Sequence, residues 1–338
     1  MKTLHLRITS AKFEEDPALL QAAEILRRGG LVAFPTETVY GLGANALNAA
    51  AVGRIFQAKQ RPHWDPVIVH VTSVVEARRL TSEWRAEAER LAAAYWPGPL
   101  TMLLPRADEI PLVCTAGRDK VGLRWPSHPV AQALIRAAGV PVAAPSANRF
   151  GHTSPTTAEH VLADLDGRID AVLDGGPCTV GVESTVLDPG LKPPVIYRPG
   201  GITPEQVRRV LGEVTVAQRK VSDEAPPESL ESPGLGIRHY APRARVLLVE
   251  SQEEFMATAG RELSSGKVGV LLPREWTAPD GAEAFAWGSW DDAAGLARGL
   301  YDGLRVLDEK GVAVIVCPLP PAEGIGLAVR DRLLKAAK

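Results

Sequence analysis

The chain has 338 residues, of which 45% are hydrophobic and 23% charged, and its formal net charge is −2. This composition is typical of a soluble globular protein with enough apolar material for two domains of roughly 150 residues each. The near balance of 38 basic and 40 acidic residues gives no sign of a nucleic-acid binder held by bulk charge, although it leaves a local basic patch open.

The first 213 residues alternate short apolar strands with amphipathic helices. Residues 4–8 alternate like an edge strand, and residues 17–29 form a predicted helix that Asp16 caps. Further strands are predicted at residues 31–34, 67–71, 100–104, 140–144, 171–173 and 184–187. Further helices are predicted at residues 49–57, 82–95, 129–138 and 157–165. Because several connections are too short for a crossover helix, we expect an α/β fold on a mixed sheet.

The composition changes after residue 213. Residues 218–233 carry charged residues, serines and three prolines but few large apolar residues, which is typical of a linker. We therefore predict a first domain over residues 1–213, a linker over 214–242 and a second domain over 243–338. In the last, strands at 246–249, 268–272 and 312–316 alternate with helices at 253–263, 290–307 and 328–336. This βαβ pattern indicates a small Rossmann-like domain.

The cysteines and the N-terminus indicate a reducing compartment. Cys114, Cys178 and Cys317 are far apart, odd in number and without a CxxC pair, so we expect buried, reduced thiols and no cysteine metal site. Residues 1–13 lack the apolar core of a signal peptide. No apolar run approaches the roughly 20 residues that span a membrane. We expect a cytoplasmic protein with no membrane partner.

The usual motifs for a catalytic or nucleotide site are absent from the sequence. It contains no Walker A motif, no GxGxxG after a strand, no GxSxG elbow and no HExxH zinc motif. Polar clusters instead follow apolar strands, which is where ligands bind in open α/β sheets.

The first two clusters contain hydroxyls and cations. Residues 35–43 place two threonines, a carboxylate and a phenol in a loop that ends in glycines, a composition that also fits an ordinary capped turn. Lys59 and Arg61 end a helix, where cations suit phosphate oxygens or simply offset the helix dipole. His70 ends the next strand, and a lone histidine there is more often structural.

Three further clusters are weaker. Arg124 follows a short apolar run and could hold a carboxylate, with a solvated arginine as the alternative. Ser146 and Asn148 offer hydrogen bonds beside small residues that admit a ligand to the backbone. Residues 181–186 and 197–200 add hydroxyls, a carboxylate and an arginine. Taken singly, none of these clusters identifies a reaction.

Taken in order, the clusters resemble the Sua5/YrdC/YwlC family of threonylcarbamoyl-AMP synthases, in its long two-domain Sua5 form. The resemblance rests on residues 35–43, 59–61 with Pro66, 96–101, 145–148, 154–156, 181–186 and 198–200. Residues 232–234 and 238–242 look like the family's linker motif, and residues 324–337 look like the end of its C-terminal domain. The resemblance implies a YrdC-like twisted mixed open sheet with flanking helices, followed by a small Rossmann-like α/β domain.

The resemblance also implies an activity. Such an enzyme is an L-threonylcarbamoyladenylate synthase, a nucleotidyltransferase that forms threonylcarbamoyl-AMP and pyrophosphate from L-threonine, bicarbonate and ATP. Its product would pass to a tRNA threonylcarbamoyltransferase complex that modifies adenosine 37 of tRNA, and a weak tRNA contact of the enzyme itself stays open. Mg²⁺ would accompany ATP, bound through the phosphates and not by a protein cage.

By the same resemblance, individual residues are expected to contact each substrate. The residues expected to hold L-threonine are Thr36, His70, Arg124 and Ser184, with Arg124 pairing the carboxylate. The residues expected around ATP are Arg61, Asp65, Lys120, Ala144, Ser146, Asn148, Ser154 and Arg198. His239 and Tyr240 would close over the nucleotide as a lid. Lys59 and Arg61 are the catalytic candidates, with Lys59 offsetting phosphate charge.

The sequence departs from the family pattern at a few positions. Asp65 stands where asparagine is more usual, and an ionised carboxylate cannot donate a hydrogen bond. Val67 stands where leucine is more usual, and Leu235-Gly236 replaces a Met-Lys pair, which removes a positive charge.

Two other functions remain as alternatives. The first is a carbamoyl-type transferase on the same fold, against which the absence of CxxC pairs argues because such proteins carry zinc fingers. The second is a non-catalytic RNA-binding module, which the net charge does not favour.

Overall fold

The computed structural model describes residues 2–217 and 239–338, which divide into two compact units. The first unit holds residues 2–150, Pro155–Thr179 and residues 183–217. The second holds Gly151–Ser154, Val180–Val182 and residues 239–338. Most of the predicted linker, including Leu235-Gly236, lies outside the described residues.

The first unit is built on one sheet of eleven strands. In chain order these are β1 (Leu4–Arg7), β2 (Val32–Phe34), β3 (Gly41–Asn45), β4 (Ile68–His70), β5 (Leu100–Pro105), β6 (Lys120–Arg124), β7 (Val142–Ala143), β8 (Ala171–Asp174), β9 (Thr185–Asp188), β10 (Val195–Arg198) and β11 (Thr215–Val216). Across the sheet they lie in the order β1-β8-β2-β3-β7-β4-β6-β5-β9-β10-β11. Parallel and antiparallel neighbours are both present, and β1 lies at one edge. The predictions of a mixed sheet and an edge strand are confirmed.

Helices cover both faces of this sheet. They are α1 (Pro17–Arg27), α2 (Ala49–Lys59), α3 (Val74–Arg79), α4 (Ala86–Tyr95), α5 (Leu112–Thr115), α6 (Pro129–Ala138), α7 (Ala158–Leu165) and α8 (Pro204–Leu211). Successive residues of a strand face opposite sides of a sheet. Accordingly Val32 and Phe34 of β2 pack with α1 and α6, whereas Ala33 packs in a separate core with Ile55 and Leu91.

A small apolar cluster lies on one face of four strands of this sheet, β4, β5, β9 and β10. Ile68 of β4, Leu103 of β5 and Val186 of β9 are buried together, with Tyr197 of β10 packed against them. Gly122 of β6 lies among them, since a Cβ atom there would come within 3.6 Å of both Ile68 and Leu103. These strands therefore share a floor of apolar side chains on one face.

The second unit is a smaller parallel α/β domain. Its strands are β12 (Arg245–Val249), β13 (Val268–Pro273), β14 (Glu283–Gly288) and β15 (Val314–Pro318), and its helices are α9 (Gln252–Leu263), α10 (Ala293–Glu309) and α11 (Gly326–Ala336). The strands lie in the order β12-β15-β13-β14, and every neighbouring pair is parallel. The expected Rossmann-like architecture is confirmed.

Two further predictions concern the cysteines and the membrane. Cys114, Cys178 and Cys317 are free and buried, as expected. Among the described residues, no helix combines the length and the apolar character that crossing a bilayer requires.

Candidate functional site

Two predicted site residues lie side by side where parallel strands end. His70 is the last residue of β4, Arg124 is the last residue of β6, and the two are paired in register. Their side chains are almost fully buried, with 2% of His70 and 4% of Arg124 exposed. The strand ends of an α/β sheet are the usual place for a ligand, so this pair marks the start of a candidate site.

His70 contributes a neutral ring to this site. Burial, with the nearby charge of Arg124 as a second cause, lowers the pKa of His70 to about 3. The Phe34 ring packs edge-on against the imidazole, with the centroids 6.4 Å apart. The Nδ1 atom of His70 has no hydrogen-bond partner among the described residues. A neutral imidazole at pH 7 can therefore donate or accept a hydrogen bond with a ligand without adding charge to the site.

Arg124 is held beside a buried carboxylate. Glu37 Oε1 lies 2.8 Å from Arg124 Nη2, and Glu37 Oε2 accepts a hydrogen bond from Ser127 N at 3.2 Å. Within the described chain, no acceptor of normal hydrogen-bond geometry meets Arg124 Nε. A buried guanidinium with open donors is well suited to bind a carboxylate in a bidentate manner.

Thr36 anchors the loop that carries Glu37. Its Oγ1 donates to the carbonyl of Val39 at 2.7 Å and lies 2.8 Å from Oγ1 of Thr38. These bonds agree with the capped-turn interpretation of the loop. They also fix a buried hydroxyl in the same loop as the carboxylate that contacts Arg124.

A second buried cluster lies on β5 and β10 and directly before β9. Arg198, the last residue of β10, donates from Nη2 to the backbone carbonyl of Ser184 at 3.0 Å and to its Oγ at 3.2 Å. Ser184 Oγ is 2.8 Å from Oγ1 of Thr101. The structure thus brings together Ser184 and Arg198, which the resemblance assigns to different substrates.

Lys59 holds the loop that follows β7. Its Nζ donates to the carbonyl of Ser146 at 2.5 Å and to the carbonyl of Asn148. Burial, and next the charge of Arg61, holds the pKa of Lys59 well below its usual value. In this arrangement Lys59 fixes the backbone of two predicted nucleotide-binding residues, and its role toward phosphate stays a prediction.

Asp65 is the charge partner of Arg61. Its Oδ2 lies 2.9 Å from Arg61 Nη2, and the guanidinium also donates to the carbonyls of Asp65 and Pro66 at 3.1 and 2.6 Å. Both side chains are buried. The unusual carboxylate therefore compensates a buried cation, which gives it a structural role that asparagine would not fulfil in the same way.

Lys120 and Ala144 are two further residues expected around ATP, and they lie on different strands of the sheet. Lys120 begins β6, so about 13 Å of strand separates it from Arg124 at 3.3 Å per residue. Its ammonium pairs with Asp188. Ala144 is buried directly after β7 and donates its N–H to the carbonyl of Ile68 at 2.8 Å.

Three predicted nucleotide-binding residues belong to the second unit: Ser154, His239 and Tyr240. All three are buried, and Tyr240 has a left-handed backbone with φ of 64°. The guanidinium of Arg332 lies 5.1 Å from the Tyr240 ring centroid, and the His239 ring lies 4.1 Å from it. The lid function of His239 and Tyr240 stays a prediction.

Sequence reasoning missed two participants in these clusters, Glu37 and Thr101. Both stand inside motifs that the resemblance used, so their presence was visible but their contacts were not. No group of three or more His, Cys, Asp or Glu residues in the described part of the chain could hold a metal ion.

Comparison with known proteins agrees with this architecture. The Sua5/YciO/YrdC family model, described as telomere recombination, matches residues 5–200, and the model of the threonylcarbamoyl-AMP synthase C-terminal domain matches residues 202–338. A threonylcarbamoyl-AMP synthase of Bacillus subtilis is 45% identical over 334 residues, covering 98% of this chain and 96% of the relative. One from Pyrococcus abyssi is 44% identical over 322 residues, covering 94% and 93%.

A solved structure extends the likeness to three dimensions. The crystal structure of Pyrococcus abyssi Sua5 complexed with L-threonine has a TM-score of 0.91 and 41% identity, and the match covers 100% of this chain and 98% of that one. Both family models and the whole-chain relatives lead to one conclusion. The chain belongs to the Sua5/YciO/YrdC family, in the two-domain form that carries the Sua5 C-terminal domain.

Proposed function

We propose that the protein is a threonylcarbamoyl-AMP synthase, which joins L-threonine, bicarbonate and ATP into threonylcarbamoyl-AMP and releases pyrophosphate. The observation that carries the proposal is the buried pair of Arg124 and neutral His70, with open hydrogen-bonding atoms at the ends of β4 and β6. This arrangement suits an amino-acid carboxylate. Whole-chain relatives named threonylcarbamoyl-AMP synthases and a Sua5 structure with bound L-threonine support the choice of substrate.

The chemistry needs positioned charges more than a protein nucleophile. The threonine amine first attacks bicarbonate, which forms a carbamate and releases water. A carbamate oxygen then attacks the α-phosphorus of ATP, and pyrophosphate leaves. Both steps bring anions together, so catalysis depends on orientation and on cations that offset the developing charge. Arg61, Arg124 and Arg198 supply buried cations of this kind.

We place ATP along β6, with the threonine carboxylate at Arg124 and the far end of the nucleotide toward Lys120. The distance of about 13 Å between these strand ends suits a ligand as long as a nucleoside triphosphate. Lys59 supports the proposal indirectly, because it fixes the backbone of Ser146 and Asn148. Mg²⁺ would bind through the ATP phosphates, where it would neutralise charge on the leaving pyrophosphate.

The product defines the next step. A mixed anhydride of a carbamate and AMP is reactive, so a tRNA threonylcarbamoyltransferase complex would consume it soon after release. A weak contact of this protein with tRNA is part of the same proposal. We expect the reaction to take place in the cytoplasm, where ATP and tRNA are both available.

Pyrophosphate release tests the proposal directly. The full chain is incubated with ATP, Mg²⁺, L-threonine and bicarbonate, each substrate is omitted in turn, and the product is weighed by mass spectrometry. We expect release only when all substrates are present, together with the mass of threonylcarbamoyl-AMP. Release that ignores threonine would point to another transferase. No release, with salt-dependent tRNA binding, would favour an RNA-binding module.

A further inference from the structure

Glu37 is a buried carboxylate in the candidate threonine site, and the family resemblance gives it no role. Only 5% of Glu37 is exposed, and Oε1 lies 2.8 Å from Arg124 Nη2. Its Oε2 accepts from Ser127 N, and its backbone carbonyl accepts from Thr179 N at 3.1 Å. The residue is thus fixed through both its side chain and its backbone.

The contact with Arg124 leaves hydrogen-bonding capacity on both partners. Glu37 Oε1 and Arg124 Nη2 face each other at 2.8 Å, and Arg124 Nε meets no acceptor among the described residues. Each carboxylate oxygen can accept more than one hydrogen bond, so Glu37 keeps accepting capacity. Buried polar atoms in proteins are nearly always satisfied, and leaving them open costs stability. An anion with spare accepting capacity and a cation with an open Nε therefore lie next to each other at the end of β6.

We propose that this pair recognises the zwitterion of the amino-acid substrate, with Glu37 binding its α-ammonium group and Arg124 its α-carboxylate. The inference rests on the proposed function. In an α-amino acid the two charged groups are attached to the same carbon, which matches a receptor whose own opposite charges are in contact. Charge-assisted hydrogen bonds in a buried site are strong, and each group of the ligand completes one partner of the ion pair.

Recognition of the ammonium sets the substrate class. An α-hydroxy acid with the same carbon skeleton would satisfy Arg124 but would leave the charge of Glu37 without a cationic ligand group. A site built to bond a ligand group rejects the analogue that lacks it. Glu37 thus selects α-amino acids before the carboxylation step converts the amine to a carbamate.

The alternative is that Glu37 merely positions Arg124. The two roles differ in their effect on 2,3-dihydroxybutyrate, the hydroxy acid with the stereochemistry of L-threonine. Loss of a positioning residue weakens the binding of both compounds equally, because both use Arg124. Loss of an ammonium ligand weakens only threonine binding.

Titration calorimetry of the full chain with both compounds decides between them. We expect Glu37→Gln to weaken L-threonine binding by at least about tenfold, the loss of one charge-assisted hydrogen bond, while the affinity for 2,3-dihydroxybutyrate changes by less than about twofold. Glu89→Gln is the matched control, since Glu89 also pairs with an arginine but is half exposed. It should change neither affinity. Equal losses for both compounds, or no loss for threonine, would overturn the inference.

A second variant protects the test against misfolding. If Glu37→Gln does not fold, Glu37→Asp is the substitute, because it keeps the carboxylate but moves it back by one methylene group. The ratio of the affinities for threonine and the hydroxy acid should then be smaller than in the wild type. An unchanged preference would refute the role of Glu37. Calorimetry measures binding without turnover, so it tests the role of Glu37 separately from the reaction. If the protein binds threonine with the expected preference but releases no pyrophosphate, the proposed function is wrong and the role of Glu37 stands.

Discussion

Arg124 makes the most direct residue-scale prediction. Replacing Arg124 by Ala removes the cation that would pair the threonine carboxylate, so the threonine KM should rise by about 10- to 100-fold. The KM for ATP should change far less. Steady-state pyrophosphate release with each substrate varied in turn measures both constants.

The control is Arg208→Ala, which removes an exposed arginine paired with Glu205. It should leave both KM values unchanged. A threonine KM that stays at its wild-type value in Arg124→Ala would show that Arg124 does not bind the carboxylate.

His70 predicts a specific dependence of stability on pH. Its pKa is 6.5 in the unfolded chain and about 3 in the folded protein, so between these values the unfolded state binds more protons. The free energy of unfolding should therefore fall as pH drops through this window, by up to about 1.4 kcal/mol per pH unit from this residue. Urea unfolding at several pH values measures the slope.

The variant His70→Gln should flatten that slope, because glutamine does not titrate. The same urea series on the wild type is the reference for this comparison. An identical slope in wild type and His70→Gln would mean that His70 is not buried in its neutral form.

The sequence singled out His70 and Arg124 as candidates because each ends an apolar run, and the family resemblance assigned both to threonine. The contact between Glu37 and Arg124 was not predictable, since it depends on a loop after β2 meeting the end of β6 across several intervening strands. The pairing of Asp65 with Arg61 was equally hidden, although the unusual carboxylate was itself a signal.

At the scale of elements, β3 was missed for a physical reason. Its sequence, Gly-Leu-Gly-Ala-Asn, has no β-branched or aromatic residue, and glycine and asparagine are depleted in strands. Its strand form comes from antiparallel pairing with β2 and β7 on either side. By contrast α1 was predictable, because Asp16 accepts from Ala18 N at its start and its apolar residues face one side.

Helix boundaries show where local signals compete. Residues 82–95 were predicted as one helix, but α4 begins only at Ala86, after a bridge between Thr81 and Arg106. The helix predicted from residue 290 begins at Ala293, since the Asp292 side chain caps it by accepting from Gly295 N. In both cases the apolar pattern extends N-terminally beyond the true helix start, so periodicity alone places the boundary too early.

The close packing around Gly43 in β3 predicts that a larger residue there would destabilise the protein. A Cβ atom at this position would lie 2.8 Å from Phe34 Cε1 and 2.9 Å from Val142 Cγ1, so Gly43→Ala should destabilise the protein by about 1–3 kcal/mol. Gly53 in α2 is the matched control, because a Cβ atom there meets nothing within 4 Å. Gly53→Ala should stabilise the protein by about 0.5–1 kcal/mol. Urea unfolding of both variants measures the difference, and equal effects would contradict the packing argument.

At the scale of the whole molecule, the sequence predicted two domains because the composition changes after residue 213. In the structure each of the two compact units has its own sheet and its own buried core. What the sequence did not reveal is that Gly151–Ser154 and Val180–Val182 group with the second unit. Which unit a segment joins depends on contacts between residues that are far apart in the chain. Neither the periodicity nor the composition of the sequence encodes such contacts.

The whole molecule also makes a prediction about metal. We expect the only metal to be the Mg²⁺ that accompanies ATP, so a chelator should leave the melting temperature of the ATP-free chain unchanged. If Mg²⁺ enters only with ATP, the same chelator should abolish pyrophosphate release, and excess Mg²⁺ should restore it. Thermal unfolding and turnover, measured in the same buffers with and without EDTA, separate the two effects. A lowered melting temperature would reveal a structural metal, whereas turnover that survives chelation would show that the phosphate charge is neutralised by protein cations alone.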